Sequence, residues 1–306
     1  MTIIQLEYFI AVANYGSFSA AAEHCFVTQP SLSMQIRNLE EELGVILLDR
    51  NNKPIVTTEA GRVVMEQAKE AIAAFYGTKE RVNEMKGDFS GKLRLGIIPT
   101  ISPYLLPKFL PKFAKRFPKV NLDIRDLFTA GIIDYLNRDM IDIAILSGGD
   151  PIKIEETNLF EDKLYFYVSP RGRFYDRSSV FIEDIDVNHL LMLSEGNCLR
   201  NQALKAMCLA KHKVEALHDY ANCSLETLMR MVDVSSDGVT IITGMMIDYI
   251  PKERHKQIKP FGKVKARRKI TMSVARVYVN EVLVNAVKES LIEVANENAI
   301  ADFVRS

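Results

Sequence analysis

The 306-residue chain has no run of 18 or more apolar residues, so no membrane-spanning helix is expected. Its opening, Met1-Thr2-Ile3-Ile4-Gln5-Leu6-Glu7, lacks the basic start and small-residue cleavage site of a secretory signal, and a cytoplasmic location is expected. Cysteine is sparse, with four residues; in a reducing compartment these are expected as thiols rather than structural bridges. Excess charge is absent as well. The formal net charge is zero, which points neither toward nor away from nucleic acid. There is no G-x-S-x-G elbow, P-loop or H-E-x-x-H, which speaks against a hydrolytic or nucleotide-driven enzyme. No metal and no cofactor is implied.

What is present is ordinary globular composition, 48% hydrophobic and 25% charged, in a chain long enough for two or three packed domains. At the N-terminus Leu6, Phe9, Ile10 and Ala13 recur at i, i+3, i+4 and i+7, one face of a helix ending near Tyr15-Gly16. Ser17 suits the cap of a second helix with Phe18, Ala21, Ala22 and Cys25 inward. Phe26-Val27-Thr28 then turns the chain, and Thr28 can cap a third helix with Pro30 in its first turn. Leu32, Ile36, Leu39 and Leu43 form its buried face, and Gly44 stops it.

Two short helices, a tight turn and a longer helix follow the helix-turn-helix plan. A three-helix domain with a solvated polar face would show the same periodicity. Away from the apolar stripe lie Pro30, Ser33, Met34 and Arg37, flanked by Ser31 and Asn38, mostly short hydrogen-bonding side chains with one Arg, suited to base edges and phosphates. Charge works against this reading. Residues 1–58 carry Arg37, Arg50 and Lys53 against Glu7, Glu23, Glu40, Glu41, Glu42 and Asp49, a net of −3. The basic footprint of a DNA-binding domain is missing. The Glu40-Glu41-Glu42 cluster would repel phosphate, so the N-terminal end of the third helix is expected to enter the groove.

From Thr58 to Met85 no proline interrupts the chain. Val64, Ala68, Ala71, Phe75, Thr78, Val82 and Met85 alternate at spacings of four and three, a coiled-coil seam; a helix lying along its own body would show the same spacing. After the hinge Gly87-Asp88-Phe89-Ser90-Gly91, strand and helix patterns alternate. Strands are expected at Leu93–Ile98, around Val120, Leu122 and Ile124, at Ile141–Leu146, Leu164–Val168 and Thr271–Val279. Helices are expected at Leu105–Phe117, with Pro107 in its first turn, and near Ile132–Arg138. This is an α/β pattern with a mostly parallel sheet. Ligands of such sheets bind beyond the carboxyl ends of the strands, here Pro99–Pro103 and Ser147–Gly149.

Among the cysteines, Cys25 falls on a core face and reads as a small buried hydrophobe. Cys198 follows the turn Glu195-Gly196-Asn197 and opens a helical pattern from Leu199 to Lys211, with Arg200 two residues on. Helix N-terminus and nearby cation both favour a thiolate. Cys208, between Met207 and Leu209, reads by itself as core, and His218 reads as structural.

Several stretches resemble a known family. In the head these are Ser19-Ala20-Ala21-Ala22, Val27-Thr28-Gln29-Pro30-Ser31-Leu32-Ser33, Gln35-Ile36-Arg37-Asn38-Leu39-Glu40 and Leu43-Gly44-Val45-Ile46-Leu47-Leu48-Asp49-Arg50. They are similar to the DNA-binding head of LysR-type regulators. The resemblance implies a wing over Leu47–Thr57, with Arg50 and Lys53 near phosphates and Gln29, Pro30 and Ser33 at the groove. It implies a fold of three parts: a winged helix-turn-helix domain at 1–58, a linker helix for dimerisation at 59–87, and a regulatory α/β domain at 88–306. That last part is expected to resemble periplasmic binding proteins, with lobe I at 92–166 and 268–306 and lobe II at 167–267. Double-stranded DNA, a homotetramer built as a dimer of dimers, and RNA polymerase are the implied partners.

Further stretches, Gly96-Ile97-Ile98-Pro99-Thr100, Pro103-Tyr104-Leu105-Leu106-Pro107, Gly196-Asn197-Cys198-Leu199-Arg200-Asn201-Gln202-Ala203 and Ser224-Leu225-Glu226-Thr227-Leu228, resemble the peroxide-sensing members of that family. The resemblance implies hydrogen peroxide as effector, Cys198 as the peroxidatic and Cys208 as the resolving thiol, with Thr100 and Thr129 positioning peroxide. Asn197, Arg200 and Asn201 would flank the thiol. Departures stand beside it: Asn197 replaces a His, Asn201 an Asp, and Cys208 comes one residue later than the pattern, where Met207 stands instead. Cys223 occupies a threonine position and is an alternative resolving thiol. A LysR regulator binding a small metabolite between Thr100 and Ser147 is the competing expectation.

Overall fold

The computed structural model describes residues 1–85, 89–138, 140–148, 156–194, 196–206, 223–263, 265–275 and 281–297. They fall into two compact units, one built on Met1–Phe89 and the other on Ser90–Val274 with the C-terminal helix.

The first unit comprises α1 (Ile3–Tyr15), α2 (Phe18–His24), α3 (Gln29–Leu43), β1 (Leu48–Asp49), β2 (Val56–Thr57) and α4 (Glu59–Met85). The helix starts are set by side chains that satisfy otherwise unpaired backbone N–H groups. Thr2 and Gln5 form a reciprocal capping box on α1, Ser17 accepts from Ala20 N, and Thr28 accepts from Ser31 N. Gly16 and Gly44 end α1 and α3 in the left-handed region, φ 63° and 68°, where a glycine is least strained. Phe9, Val12, Ala21, Leu32, Ile36, Leu39, Leu47 and Leu48 close into one core, with Phe18, Cys25 and Leu43 packed on its edge. Residues Leu48 and Asp49 pair antiparallel with Thr57 and Val56, the two strands of a small wing.

Thr58 starts α4 by accepting from Gly61 N at 2.9 Å while donating to Ile46 O at 2.7 Å. A Cβ on Gly61 would meet Leu47 O at 2.1 Å, so this close approach of helix to wing admits only glycine. The regular seam read along α4 divides in two. Val64 and Ala68, with Met65 and Ile72 beside them, pack on the head's own core. Ala71, Phe75, Thr78 and Val82 are exposed, Phe75 at 58% and Val82 at 45%. The side chain of Met85 lies outside the described residues.

The second unit runs β3 (Ser90–Ile97), α5 (Ser102–Arg116), β4 (Lys119–Asp126), α6 (Thr129–Asn137), β5 (Ile143–Ser147), β6 (Glu156–Val168), β7 (Leu190–Leu191), α7 (Cys198–Ala206), α8 (Leu225–Val234), β8 (Val239–Thr243), β9 (Ile258–Lys259), β10 (Arg267–Val274) and α9 (Glu281–Glu297). The strands order as β4-β3-β5-β10-β6-β8-β7, with β9 on β6. Every residue of β5 and of β8 is buried, the mark of strands covered on both faces.

The sheet is mixed, not mostly parallel. β3 pairs parallel with β4 and β5, and β7 with β8. The two long strands β6 and β10 are antiparallel to every neighbour described. They cross between two α/β halves, and β6 pairs with β10 through Glu156–Lys163 and with β8 through Leu164–Val168. Local alternation in either strand cannot reveal which way its neighbours run.

Helix α5 begins at Ser102, three residues before its expected start, so Pro103 takes the first turn and Pro107 and Pro111 lie inside. These prolines recur every four residues and are exposed, while Tyr104, Leu105, Phe109 and Phe113 face inward. Each inner proline removes the bond to the carbonyl four residues back, and on this face water can replace it. Among the described residues no helix is long and apolar enough to cross a membrane, and no cluster of His, Cys, Asp or Glu is placed to hold a metal.

Candidate functional site

In the head, Gln29, Pro30, Ser31, Met34, Arg37 and Asn38 are exposed along the outer face of α3, and Ser33 is half-buried. Leu32, Ile36 and Leu39 hold the opposite face in the core, so the helix presents one exposed stripe, polar except for Pro30 and Met34. Its cations are not idle. Arg37 Nε lies 2.9 Å from Glu41 Oε1, one turn on. Arg50 lies 2.7 Å from Glu40 Oε2 and over the Phe18 ring. The other oxygen of Glu40 accepts from the backbone of Leu47 and Leu48, at 2.8 and 3.2 Å. One of the acidic residues read as a liability therefore fastens α3 to the wing. Lys53 is exposed in the wing loop.

In the second unit, Thr100, Thr129 and Ser147 lie just beyond or at the carboxyl ends of β3, β4 and β5, three adjacent parallel strands. Thr100 is buried and its hydroxyl accepts from Arg268 at 2.8 Å. Thr129 Oγ1 is buried and has no hydrogen-bond partner among the described residues. Ser147 Oγ is bonded to the carboxamide of Gln202, which projects from α7.

Cys198 is the first residue of α7 and is 5% exposed. Asn197 sits before it, buried, and its side-chain oxygen accepts from Leu199 N at 3.0 Å. Its carbonyl accepts from Asn201 N, so Asn197 is the cap of α7. Arg200 donates to Leu193 O at 3.0 Å, and the Asn201 side chain is exposed. Cys208, His218 and the expected helix beyond Ala206 lie outside the described residues, as does Gly149. Cys223 is half-buried just before the Ser224 cap of α8. Burial, and then the nearby Glu7 carboxylate, push the Cys25 thiol up.

Three residues given no role in the sequence analysis hold this region. Arg268 and Asp162 are direct cross-strand partners of β10 and β6, 2.8 Å apart, with side chains essentially inaccessible. Burial pushes the Asp162 carboxyl up, while Arg268 and the backbone N–H groups of Met245 and Gly244 pull it back. Arg268 also donates to Thr100, so the pair reaches from the crossing strands to the end of β3. A signal existed: Asp162 and Arg268 each fall in phase with inward apolar residues, Leu164 and Phe166 in one strand and Ile270 and Met272 in the other. Gln202 is the third, and nothing in its helical periodicity singles it out.

Comparison with known proteins agrees with both units. The family model for the bacterial regulatory helix-turn-helix protein, lysR family, matches residues 3–62. The LysR substrate binding domain matches residues 86–296.

The chain belongs to the LysR family.

This LysR regulator is accordingly a DNA-binding transcription regulator rather than an enzyme, with DNA bound through its helix-turn-helix domain. It is 35% identical to the hydrogen peroxide-inducible genes activator of Pectobacterium carotovorum subsp. carotovorum, over 84% of this chain and 83% of that protein. It is also 35% identical to the DNA-binding transcriptional dual regulator OxyR of Escherichia coli (strain K12), over 84% and 82% of the two chains. A full-length OxyR variant from Pseudomonas aeruginosa superposes with a TM-score of 0.76 at 26% identity, covering 95% of this chain and 94% of that one. The LysR regulator thus shares with OxyR proteins the winged head, the linker helix and the two-part α/β domain.

Proposed function

We propose that this LysR regulator senses hydrogen peroxide through Cys198 and controls genes of the oxidative-stress response. The observation that carries the reading is the placement of Cys198 as the buried first residue of a capped helix, in a chain similar to peroxide-responsive activators. Negative charge on the sulfur is favoured at a helix N-terminus. The thiolate attacks one peroxide oxygen, the O–O bond breaks, hydroxide leaves and Cys198 becomes a sulfenic acid. A second thiol then attacks that sulfur, water leaves, and a disulfide forms.

Cys208 is the proposed second thiol. The run Cys198–Ala206 is helical and carries the chain about 12 Å along its axis. A disulfide needs Cα atoms roughly 4.4–6.8 Å apart. Were the helix to run on to Cys208, the two Cα atoms would stand about 15 Å apart, so pairing requires that run to unwind. Oxidation selects the unwound form and reduction by cellular thiols restores the helix. The rearranged surface changes how subunits of a dimer of dimers pair, and so how the heads meet DNA and RNA polymerase in the cytoplasm. In the head, Gln29, Pro30, Ser31, Ser33, Met34 and Arg37 are the proposed groove contacts, with Arg50 and Lys53 at phosphates. The competing metabolite reading is weakened by Thr100 and Ser147, whose hydroxyls are already bonded to Arg268 and Gln202.

The test is one equivalent of hydrogen peroxide followed by tryptic mass spectrometry. A linked Cys198–Cys208 peptide is expected; a Cys198–Cys223 link would reassign the resolving thiol, and unmodified thiols would sink peroxide sensing. Cys198→Ser should bind DNA but lose the peroxide-dependent change in footprint.

A further inference from the structure

Phe26 stands in the turn between α2 and α3, 95% exposed. Among the described residues it alone, glycines aside, has a positive φ, 57°. A bulky side chain is strained in that region, which glycine occupies freely and asparagine tolerates. The turn itself is well made: Phe26 N donates to Glu23 O, and Val27 N to Ala22 O. The ring therefore adds neither packing nor a backbone bond, and the position strains an aromatic that folding does not need.

Its place in the chain suggests what the ring meets. Phe26 is two residues before Thr28, the cap of α3, and two residues span at most about 7 Å. The major groove is roughly 12 Å wide, so a ring at this point lies within reach of whatever the end of α3 enters. On α3 itself Pro30 is exposed and Met34 is 56% exposed, so the N-terminal half of that helix is apolar as well as polar. The head is also short of electrostatic attraction. Its net charge is −3 over residues 1–58, and Arg37 and Arg50 are both in ion pairs with its own glutamates. Binding with few phosphate contacts must draw more of its free energy from the base edges. The apolar feature of those edges in the major groove is the 5-methyl group of thymine.

We infer that Phe26 is a base-reading residue, its ring packing on a thymine methyl beside the site entered by α3. The residue type at this position then sets a preference for thymine in each half-site. This goes beyond the peroxide reading and does not depend on it.

The reduced full-length protein first selects its sites from a pool of randomised 40-bp duplexes. Affinities are then measured by fluorescence anisotropy for a selected duplex, for an unselected random duplex, and for the selected duplex with deoxyuridine replacing thymidine one position at a time. Phe26→Gly and Phe26→Asn keep the backbone conformation and remove the ring, so thermal unfolding should not move appreciably. Both variants should bind the selected duplex about ten-fold more weakly and the random duplex as before. One thymidine-to-deoxyuridine change per half-site should weaken the parent protein and leave both variants unaffected. Phe26→Tyr should retain most of the preference. Equal losses on selected and random DNA, no loss at all, or the same deoxyuridine profile for parent and variants would overturn the assignment.

Discussion

The carboxamide of Gln202 meets Ser147 Oγ through both of its terminal atoms, 3.0 Å from Oε1 and 2.6 Å from Nε2. This bond fastens the helix that opens at Cys198 to the end of β5. It joins the thiol's helix to the edge formed by three parallel strands, and it is a contact that an unwound α7 could not keep.

Gln202→Ala should therefore loosen α7 and expose Cys198. Alkylation of Cys198 by iodoacetamide, followed by mass spectrometry, should accelerate several-fold, in line with a lost neutral hydrogen bond of about 1 kcal/mol. Ser147→Ala should give a similar acceleration, and the double variant little more. Unchanged labelling rates would mean that the bond does not restrain the helix.

The Arg268–Asp162 pair leads to a stability prediction. Both side chains are buried, so removing one leaves an uncompensated charge. Arg268→Leu and Asp162→Ala should each cost about 3–5 kcal/mol in urea unfolding. Replacing both together by apolar residues should cost clearly less than the sum.

Tyr104 supplies a pH dependence. Its hydroxyl donates to Glu226, and burial, followed by that bond, raises its pKa above the ordinary tyrosine range. The neutral phenol is thus favoured by folding. Its contribution, about 1–2 kcal/mol, is present in full below the unfolded value near ~10 and fades as pH rises above it. Tyr104→Phe should be less stable than the parent by a constant margin from pH 6 to 9, and the margin should shrink beyond pH 10. A margin that stays constant to pH 11 would rule out the titration.

Glu41 restrains Arg37 in a pair exposed on both sides, which is worth little to folding. Glu41→Gln frees the guanidinium, one of the proposed groove contacts, and removes a negative charge from the helix that carries them. DNA affinity should rise a few-fold, and the slope of log K against log salt should steepen by up to ~1. Unfolding should hardly change.

Much of the head was legible because local rules decide it. Caps at Ser17 and Thr28, stops at Gly16 and Gly44, and the inward stripe of α3 depend on neighbours within a few residues. The helical nature of α4 was equally legible, but not that Val64 and Ala68 pack on the head while Phe75 and Val82 stay exposed. One apolar stripe serves a partner or the chain's own body with the same spacing. In α5 the prolines argued for a later start. The helix tolerates them because their face is solvated, a fact of packing.

The thiol region divides in the same way. By itself the sequence determined that Cys198 follows a turn and opens a helix, since Gly196 and Asn197 are turn and cap chemistry. Only the tertiary structure decided that this helix is held to β5 through Gln202, and that Thr100 is engaged by Arg268. Those partners are 55 and 168 residues apart in the chain. Hydrogen bonds at such separation depend on how strands order and cross, and no local pattern of side chains encodes that order.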